Sequence, residues 1–370
     1  MSNRFTARRD ALRKELKKLK LPGLIVQKEP NVTYLTGFSG EDSVLLLLAD
    51  REILVTDSRF VTQLADECPD LTLQVRKTSK SVETMDKAIA ELLTKFKLPG
   101  IGIEADTMTV GLRERISENA KTVQFASTRG LIEDLRAIKD KLEIAEIERA
   151  VGYAEQSFQR VRKSLHPDLT EVQVANQLEA AMRELGGKGH SFEPIVAAGP
   201  RAALPHGRAS QGKIGVSGLL LIDWGAVAER YVSDLTRVLV TGKISPKVER
   251  IYQVVFKAQA AGIAKIRPGA VCGDVDAAAR QVIEDAGFGK FFGHGLGHGI
   301  GMEVHEQPRF SVGSKQILRP GMVVTVEPGI YLPGIGGVRL EDDVLVTKTG
   351  HRVLSTLGKT WDDARQAWAA

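Results

Sequence analysis

The apolar residues of this chain gather in short runs bounded by charge. The most apolar of them, Val44-Leu45-Leu46-Leu47-Leu48, gives way at once to Ala49-Asp50. Such a run suits a buried strand and falls far short of the ~18 apolar residues that a membrane span needs. Gly23-Leu24-Ile25-Val26, Ile53-Leu54-Val55 and Gly100-Ile101-Gly102-Ile103 are of strand length too. Residues 81–97 instead carry Met85, Ile89, Leu92, Leu93 and Phe96 at helical spacing, and Pro99-Gly100 stops them. Strands alternating with helices predict a small α/β domain over residues 1–130.

A length of 370 residues is more than one ordinary domain needs. At 43% hydrophobic and 26% charged residues, a core can form without covalent staples. Cys68 and Cys272 make no CxxC or zinc-ligand spacing and read as free thiols in a reducing compartment. Met1-Ser2-Asn3-Arg4 leads into charge rather than an apolar signal region, so the expected location is cytoplasmic. The net charge of +5 comes from one end: residues 1–20 hold eight basic and two acidic side chains, the remainder 43 basic and 44 acidic. Leu12, Leu16 and Leu19 make this segment an amphipathic helix with a solvated basic face. No aromatics are interleaved for stacking on bases, so neither nucleic acid nor a membrane is the expected partner.

None of the seven histidines precedes His166. The chemistry is therefore expected in a second domain, residues 131–364. A charged helical segment at 131–164 opens it and His166-Pro167 ends that helix. Long helices at 141–164, 171–186 and 246–266, with strand hairpins and Gly-rich turns, give an α+β pattern.

Residues 218–225 and 231–240 read as two strands. A two-residue turn at Ala228-Glu229 would set Asp223 directly opposite Asp234, with Cβ atoms about 5 Å apart. Like charges amid Leu220, Ile222, Val238 and Leu239 require either a protonated carboxyl or an intervening cation.

Residues 293–306 hold His294, His298 and His305, with glycines at 293, 295, 297, 299 and 301 that leave the backbone open to a close ligand. No GxGxxG register and no HExxH fits this stretch. Residues 321–329 form a strand ending in Glu327, and residues 337–344 a strand on which Arg339 and Glu341 share a face. Four carboxylates and one imidazole are a mostly hard donor set, which favours Mn²⁺, with Co²⁺ or Zn²⁺ as alternatives, over a structural thiolate zinc. Two such ions sharing carboxylates sit ~3.5–4 Å apart and can poise a water for attack on an amide.

The order Asp223, Asp234, His298, Glu327, Glu341 resembles that of the pita-bread metallopeptidases, which include methionine aminopeptidases, Xaa-Pro aminopeptidases, prolidases and creatinase. The likeness runs nearly the whole chain. Residues 31–38 resemble the start of a creatinase-type N-terminal domain, and Arg136-Ala137-Ile138-Lys139-Asp140 the opening of the catalytic domain. Leu204-Pro205-His206-Gly207, His294, His305 and Arg339 resemble the Xaa-Pro branch, although Arg201 stands where many relatives carry a small polar residue.

The resemblance implies two divalent metal ions per chain, with Asp234 and Glu341 shared, Asp223 on one ion, and His298 and Glu327 on the other. It makes Glu327 the general base. His305 becomes the group that stabilises the oxyanion or carries a proton, and His206 a contact to substrate. His294 and Arg339 become substrate-binding residues. It further implies proline-containing peptides as substrate, a homodimer, and Xaa-Pro aminopeptidase activity. The alternatives are an Xaa-Pro dipeptidase and, remotely, a non-catalytic binding module.

Overall fold

The computed structural model describes residues 2–77, 83–366 and 368. It divides into two compact units, residues 1–136 and 137–370.

The first unit contains α1 (Ser2–Lys18), β1 (Gly23–Val26), α2 (Glu29–Thr36), β2 (Val44–Leu48), β3 (Glu52–Thr56) and α3 (Val61–Glu67). It continues with β4 (Thr72–Val75), α4 (Met85–Lys95), β5 (Gly100–Glu104), α5 (Val110–Asn119), β6 (Gln124–Thr128) and α6 (Leu131–Arg136). One six-stranded sheet runs β4-β3-β2-β1-β5-β6. Strand β2 is buried along its whole length, because both faces are used. Val44, Leu46 and Leu48 join Ile89, Leu92 and Leu93 of α4 in one cluster, while Leu45 and Leu47 are buried on the opposite face. Residues 81 and 82 of the expected helix lie outside the described residues, and α4 itself begins at Met85. The half-exposed strands β4 and β6 carry too little apolar pattern to have been read from sequence.

The basic helix α1 departs from expectation. Leu12 and Leu16 are buried, but Leu19 is 51% exposed and Arg8 and Arg9 are buried. Arg9 donates to the Leu35 carbonyl at 2.9 Å and pairs with Glu52 at 3.1 Å. Arg8 donates to the Tyr34 carbonyl at 3.0 Å and lies over the Tyr34 ring. Two of the eight basic side chains in residues 1–20 thus satisfy carbonyls at the end of α2, and one of them also pairs with a neighbouring carboxylate.

The second unit opens with α7 (Lys141–Arg162), α8 (Glu171–Glu184), β7 (Ile195–Ala198), β8 (Leu219–Trp224), β9 (Val227–Ala228), β10 (Tyr231–Val232) and β11 (Leu235–Val240). There follow α9 (Pro246–Lys265), α10 (Cys272–Asp285), β12 (Gly297–Gly299), β13 (Glu306–Phe310) and β14 (Val323–Val326). The last elements are β15 (Gly329–Leu332), β16 (Gly336–Arg339), β17 (Asp342–Val346), β18 (His351–Val353) and α11 (Trp361–Ala364). The expected helix over 131–164 is two helices, α6 and α7, because Asp140 caps a new one. Its carboxylate accepts from the Leu142 and Glu143 amides, and Glu143 reaches back to the Asp140 amide.

Strand β8 is the spine of the sheet β11-β8-β7. Its alternating side chains enter two different cores. Leu219 and Leu221 pack with α9 and α10 residues such as Ile251, Val255 and Val275. Leu220, Ile222 and Trp224 pack with Phe158, Val174 and Leu178 of α7 and α8. Trp224 stacks on Phe158 and donates to the Ala154 carbonyl at 2.9 Å. Asp223 therefore shares the α9/α10 side of the strand with Leu219 and Leu221, fixed there by the period of two. A five-stranded sheet runs β13-β12-β14-β17-β18.

Candidate active site

The hairpin register differs from the expected one by two residues. Ala228 pairs with Tyr231, so the turn is Glu229-Arg230, with Glu229 at φ 50°. This puts two charged residues at the tip and keeps Ala228 buried. Asp223 consequently faces Thr236, not Asp234. A slip of two preserves the face, so Asp234 becomes a diagonal neighbour of Asp223. Asp234 lies just outside β11, where its amide donates to Asp343 Oδ2 at 3.1 Å.

The glycines around His298 also have another purpose than the one expected. A Cβ on Gly297 would lie 2.1 Å from the Thr325 carbonyl oxygen, and one on Gly299 would lie 2.0 Å from that of Gln307. Neighbouring strands, not a ligand, occupy that space. Gly297→Ala should therefore force β12 away from β14 at a cost of roughly 1–3 kcal/mol. A thermal melt checks this, and an unchanged melting temperature would refute it.

Squeezed in this way, His298 accepts little freedom. Its amide donates to Thr325 Oγ1 at 3.1 Å, and its Nδ1 lies 3.1 Å from the Gly299 carbonyl oxygen. A donating Nδ1–H leaves the Nε2 lone pair facing the cavity. Nε2 is 3.3 Å from Glu327 Oε1 and 3.8 Å from Asp234 Oδ2. The expected continuous strand over 337–344 is broken: Arg339 ends β16, β17 starts at Asp342, and Glu341 bridges to Thr236 of β11 between them. Thr236 Oγ1 donates to Glu341 Oε2 at 2.6 Å and accepts from Arg339 Nε at 3.1 Å. Arg339 also pairs with Asp223 and donates to the Tyr331 hydroxyl at 2.8 Å. Tyr331 in turn meets His294 Nε2 at 2.9 Å.

All nine side chains named from sequence line one cavity of about 710 Å³: His206, Asp223, Asp234, His294, His298, His305, Glu327, Arg339 and Glu341. Thr236 and Tyr331 were not anticipated. Thr236 lies two residues after Asp234, so strand periodicity alone could have found it, whereas nothing in the run Gly329–Leu332 marks Tyr331. Phe192, Ile195 and Phe310 form apolar wall, and Glu193, Arg208 and Arg309 add charge to the lining.

The electrostatics of the cluster are those of a cation site. Burial, then the charges of Glu341 and Asp223, pushes Asp234 well above the usual carboxylate range. Burial, then Glu327 and Asp223, does the same to Glu341. Burial raises Asp223 despite the adjacent Arg339. Burial also acts upward on Glu327, but when His298 carries a second proton its hydrogen bond and charge outweigh burial and hold Glu327 low. His305, at the open rim, is pushed down to about 4 by the surrounding walls and then by the His298 charge. Against four carboxylates the described residues of the cavity set one buried guanidinium, Arg339. Asp223 Oδ1 is buried without a hydrogen-bond partner. One donor atom each from Asp234, His298 and Glu341 lies within 4.8 Å of the others. An orphaned oxygen, carboxylates that cannot all ionise alone and an imidazole lone pair fit a divalent ion.

Residues 145–348 match the model of metallopeptidase family M24, and residues 8–138 that of the creatinase/prolidase N-terminal domain. An Xaa-Pro dipeptidase of Pyrococcus horikoshii is 34% identical over 90% of this chain and 93% of its own length. An Xaa-Pro dipeptidase structure from Bacillus anthracis superposes with a TM-score of 0.91 at 36% identity, covering 96% of this chain and 99% of that one. An X-Pro aminopeptidase structure from Thermotoga maritima gives 0.85 at 32% identity, over 96% and 100%. Membership of a metallopeptidase family implies a divalent metal. With its creatinase-type N-terminal domain and its α+β pita-bread catalytic domain, the chain is a peptidase and belongs to metallopeptidase family M24.

Proposed function

We propose that the protein is a dinuclear-metal exopeptidase that hydrolyses Xaa-Pro bonds at peptide N-termini, with its chemistry in the domain over 131–364. The observation that carries this reading is the convergence of four carboxylates, His298 and three further histidines on one cavity in a chain of this family. Asp223, Asp234, His298, Glu327 and Glu341 would hold the ions. Bound there, the metal supplies Lewis acidity to the scissile carbonyl and lowers the pKa of a water.

The remaining work falls to side chains. Glu327 takes the proton from the attacking water at a carboxylate oxygen. His305, neutral over the working pH range, donates or relays a proton at the rim. His206 contacts the substrate, and the apolar surfaces of Phe192, Ile195 and Phe310 exclude water around a pyrrolidine ring. Proline after the scissile carbonyl offers no N–H, so a pocket without an acceptor there selects it. His294 and Arg339, joined through the Tyr331 hydroxyl, hold the wall behind the substrate.

A specific observation favours a second reading, the dipeptidase. Arg309 and Arg208 line the same cavity and could pair with a C-terminal carboxylate one residue beyond the scissile bond, and several relatives are named Xaa-Pro dipeptidases. Incubation with Mn²⁺ and either an Xaa-Pro dipeptide or an Xaa-Pro-Yaa tripeptide separates the two. An aminopeptidase cleaves the tripeptide at least as well, and a dipeptidase cleaves only the dipeptide. Cleavage of neither would refute the proposal. Manganese as the native ion, a homodimer and a cytoplasmic setting complete the reading, testable by elemental analysis, sizing and fractionation.

A further inference from the structure

His206 sits in an irregular stretch between the 3₁₀ turn at Gly199–Ala203 and the 3₁₀ turn at Ile214–Val216. Nothing in the stretch itself would hold it still. Leu204 is 50% exposed, and its local bonds are a pair of tight turns, Leu204 N–H to Arg201 O and Gly207 N–H to Leu204 O, at 2.9 and 3.1 Å. The start of α8 holds it from outside: the Glu171 and Val172 amides donate to the Gly212 and Ser210 carbonyls at 3.0 and 3.1 Å, and the Glu171 carboxylate adds further bonds. Glu171, the first residue of α8, is 1% exposed. It accepts from the Ala198 amide at 2.8 Å, the Ser210 amide at 2.8 Å and the Ser210 hydroxyl at 2.6 Å. One buried carboxylate thus gathers both ends of the stretch that carries His206.

Arg201 completes this arrangement. Its Nε donates to both Glu171 oxygens, at 3.2 and 3.0 Å, and its Nη2 donates to the Arg208 carbonyl at 2.5 Å. The guanidinium therefore spans from the buried anion to a backbone oxygen two residues past His206. A lysine ammonium could hold either partner but not both in this planar fork. Arg339 meets the stretch from the other side, donating to the Pro205 carbonyl at 3.3 Å.

We propose that Arg201, acting with Glu171, is a positioning residue that holds the His206 backbone at the cavity wall, and so sets how well His206 meets the substrate. The inference rests on the role given above to His206 in Xaa-Pro hydrolysis. A charge-assisted bond to a buried carboxylate is strong, but Arg201 is partly open to solvent, so the effect is graded rather than absolute.

The test combines kinetics with amide exchange on the metal-loaded enzyme. Arg201→Ala is expected to lower kcat/KM by roughly 10-fold, a loss of about 1.4 kcal/mol in transition-state stabilisation. Arg201→Lys should recover part of it. In a His206→Ala background the further change Arg201→Ala should cost nothing, since the residue it serves is gone. The Ser210 amide should exchange faster in Arg201→Ala while protection in α9 and β8 stays unchanged. An equal loss of activity in both backgrounds would mark a merely structural role and overturn the proposal. Unaltered Ser210 exchange would overturn it as well. If the parent enzyme cleaves no Xaa-Pro peptide, the functional reading fails, and the exchange experiment alone then decides the clamp.

Discussion

Asp234→Asn is expected to abolish hydrolysis and metal binding together, with a loss of at least about 10³-fold in kcat/KM. The residue is 5% exposed and stands among Glu341, Asp223 and Glu327. An amide there removes one negative charge and one donor oxygen, and turns an NH₂ group toward any cation. Folding should survive, because the substitution relieves like-charge repulsion within the cluster. The asparagine variant should thus melt at or above the metal-free parent while being inert. Hydrolysis assays and elemental analysis of the same sample check this, and parental turnover by the variant without metal would sink the account.

Arg339→Ala should act on stability as well as activity. Arg339 is 3% exposed, and the charges of Tyr331, Asp223 and Glu327 outweigh burial to hold its pKa well above the ordinary value. It pairs with Asp223 and donates to Thr236, Tyr331 and the Pro205 carbonyl. Breaking a buried pair from one side costs about 3–5 kcal/mol. For a unit of this size each kcal/mol corresponds to roughly 2–4 °C in melting temperature. The metal-free variant should therefore melt several degrees or more below the parent. Its kcat/KM should fall by roughly 10²-fold, because Asp223, His294 and the His206 stretch all lose a common anchor. Arg339→Lys should restore part of the stability through its charge but little of the activity, lacking the fork. Parental melting and turnover in Arg339→Ala would show that the anchor is dispensable.

These two residues illustrate what the sequence can and cannot tell. The face that Asp223 and Asp234 share was legible, because strand periodicity survives a slip of two residues. Their register was not: it depended on whether Ala228 was buried, which leaves Glu229-Arg230 for the turn. Periodicity alone places Arg339 and Glu341 on one face of a single strand. Instead the chain bends between β16 and β17, and Thr236 bonds both. That bond joins residues more than a hundred positions apart and leaves no local signal. The glycines flanking His298 were visible as an unusual run, but composition could not say that strands rather than a ligand press on them. Likewise α1 was legible as a helix, whereas the burial of Arg8 and Arg9 depended on carbonyls at the end of α2.

The central claim is that the carboxylate and imidazole cluster works only with metal. It is tested most directly by stripping the protein with chelator, titrating Mn²⁺ back, and following bound metal per chain alongside hydrolysis of an Xaa-Pro peptide. The account predicts negligible turnover in the stripped protein and recovery of activity as binding approaches two ions per chain. Full turnover by protein shown to hold no metal would contradict it.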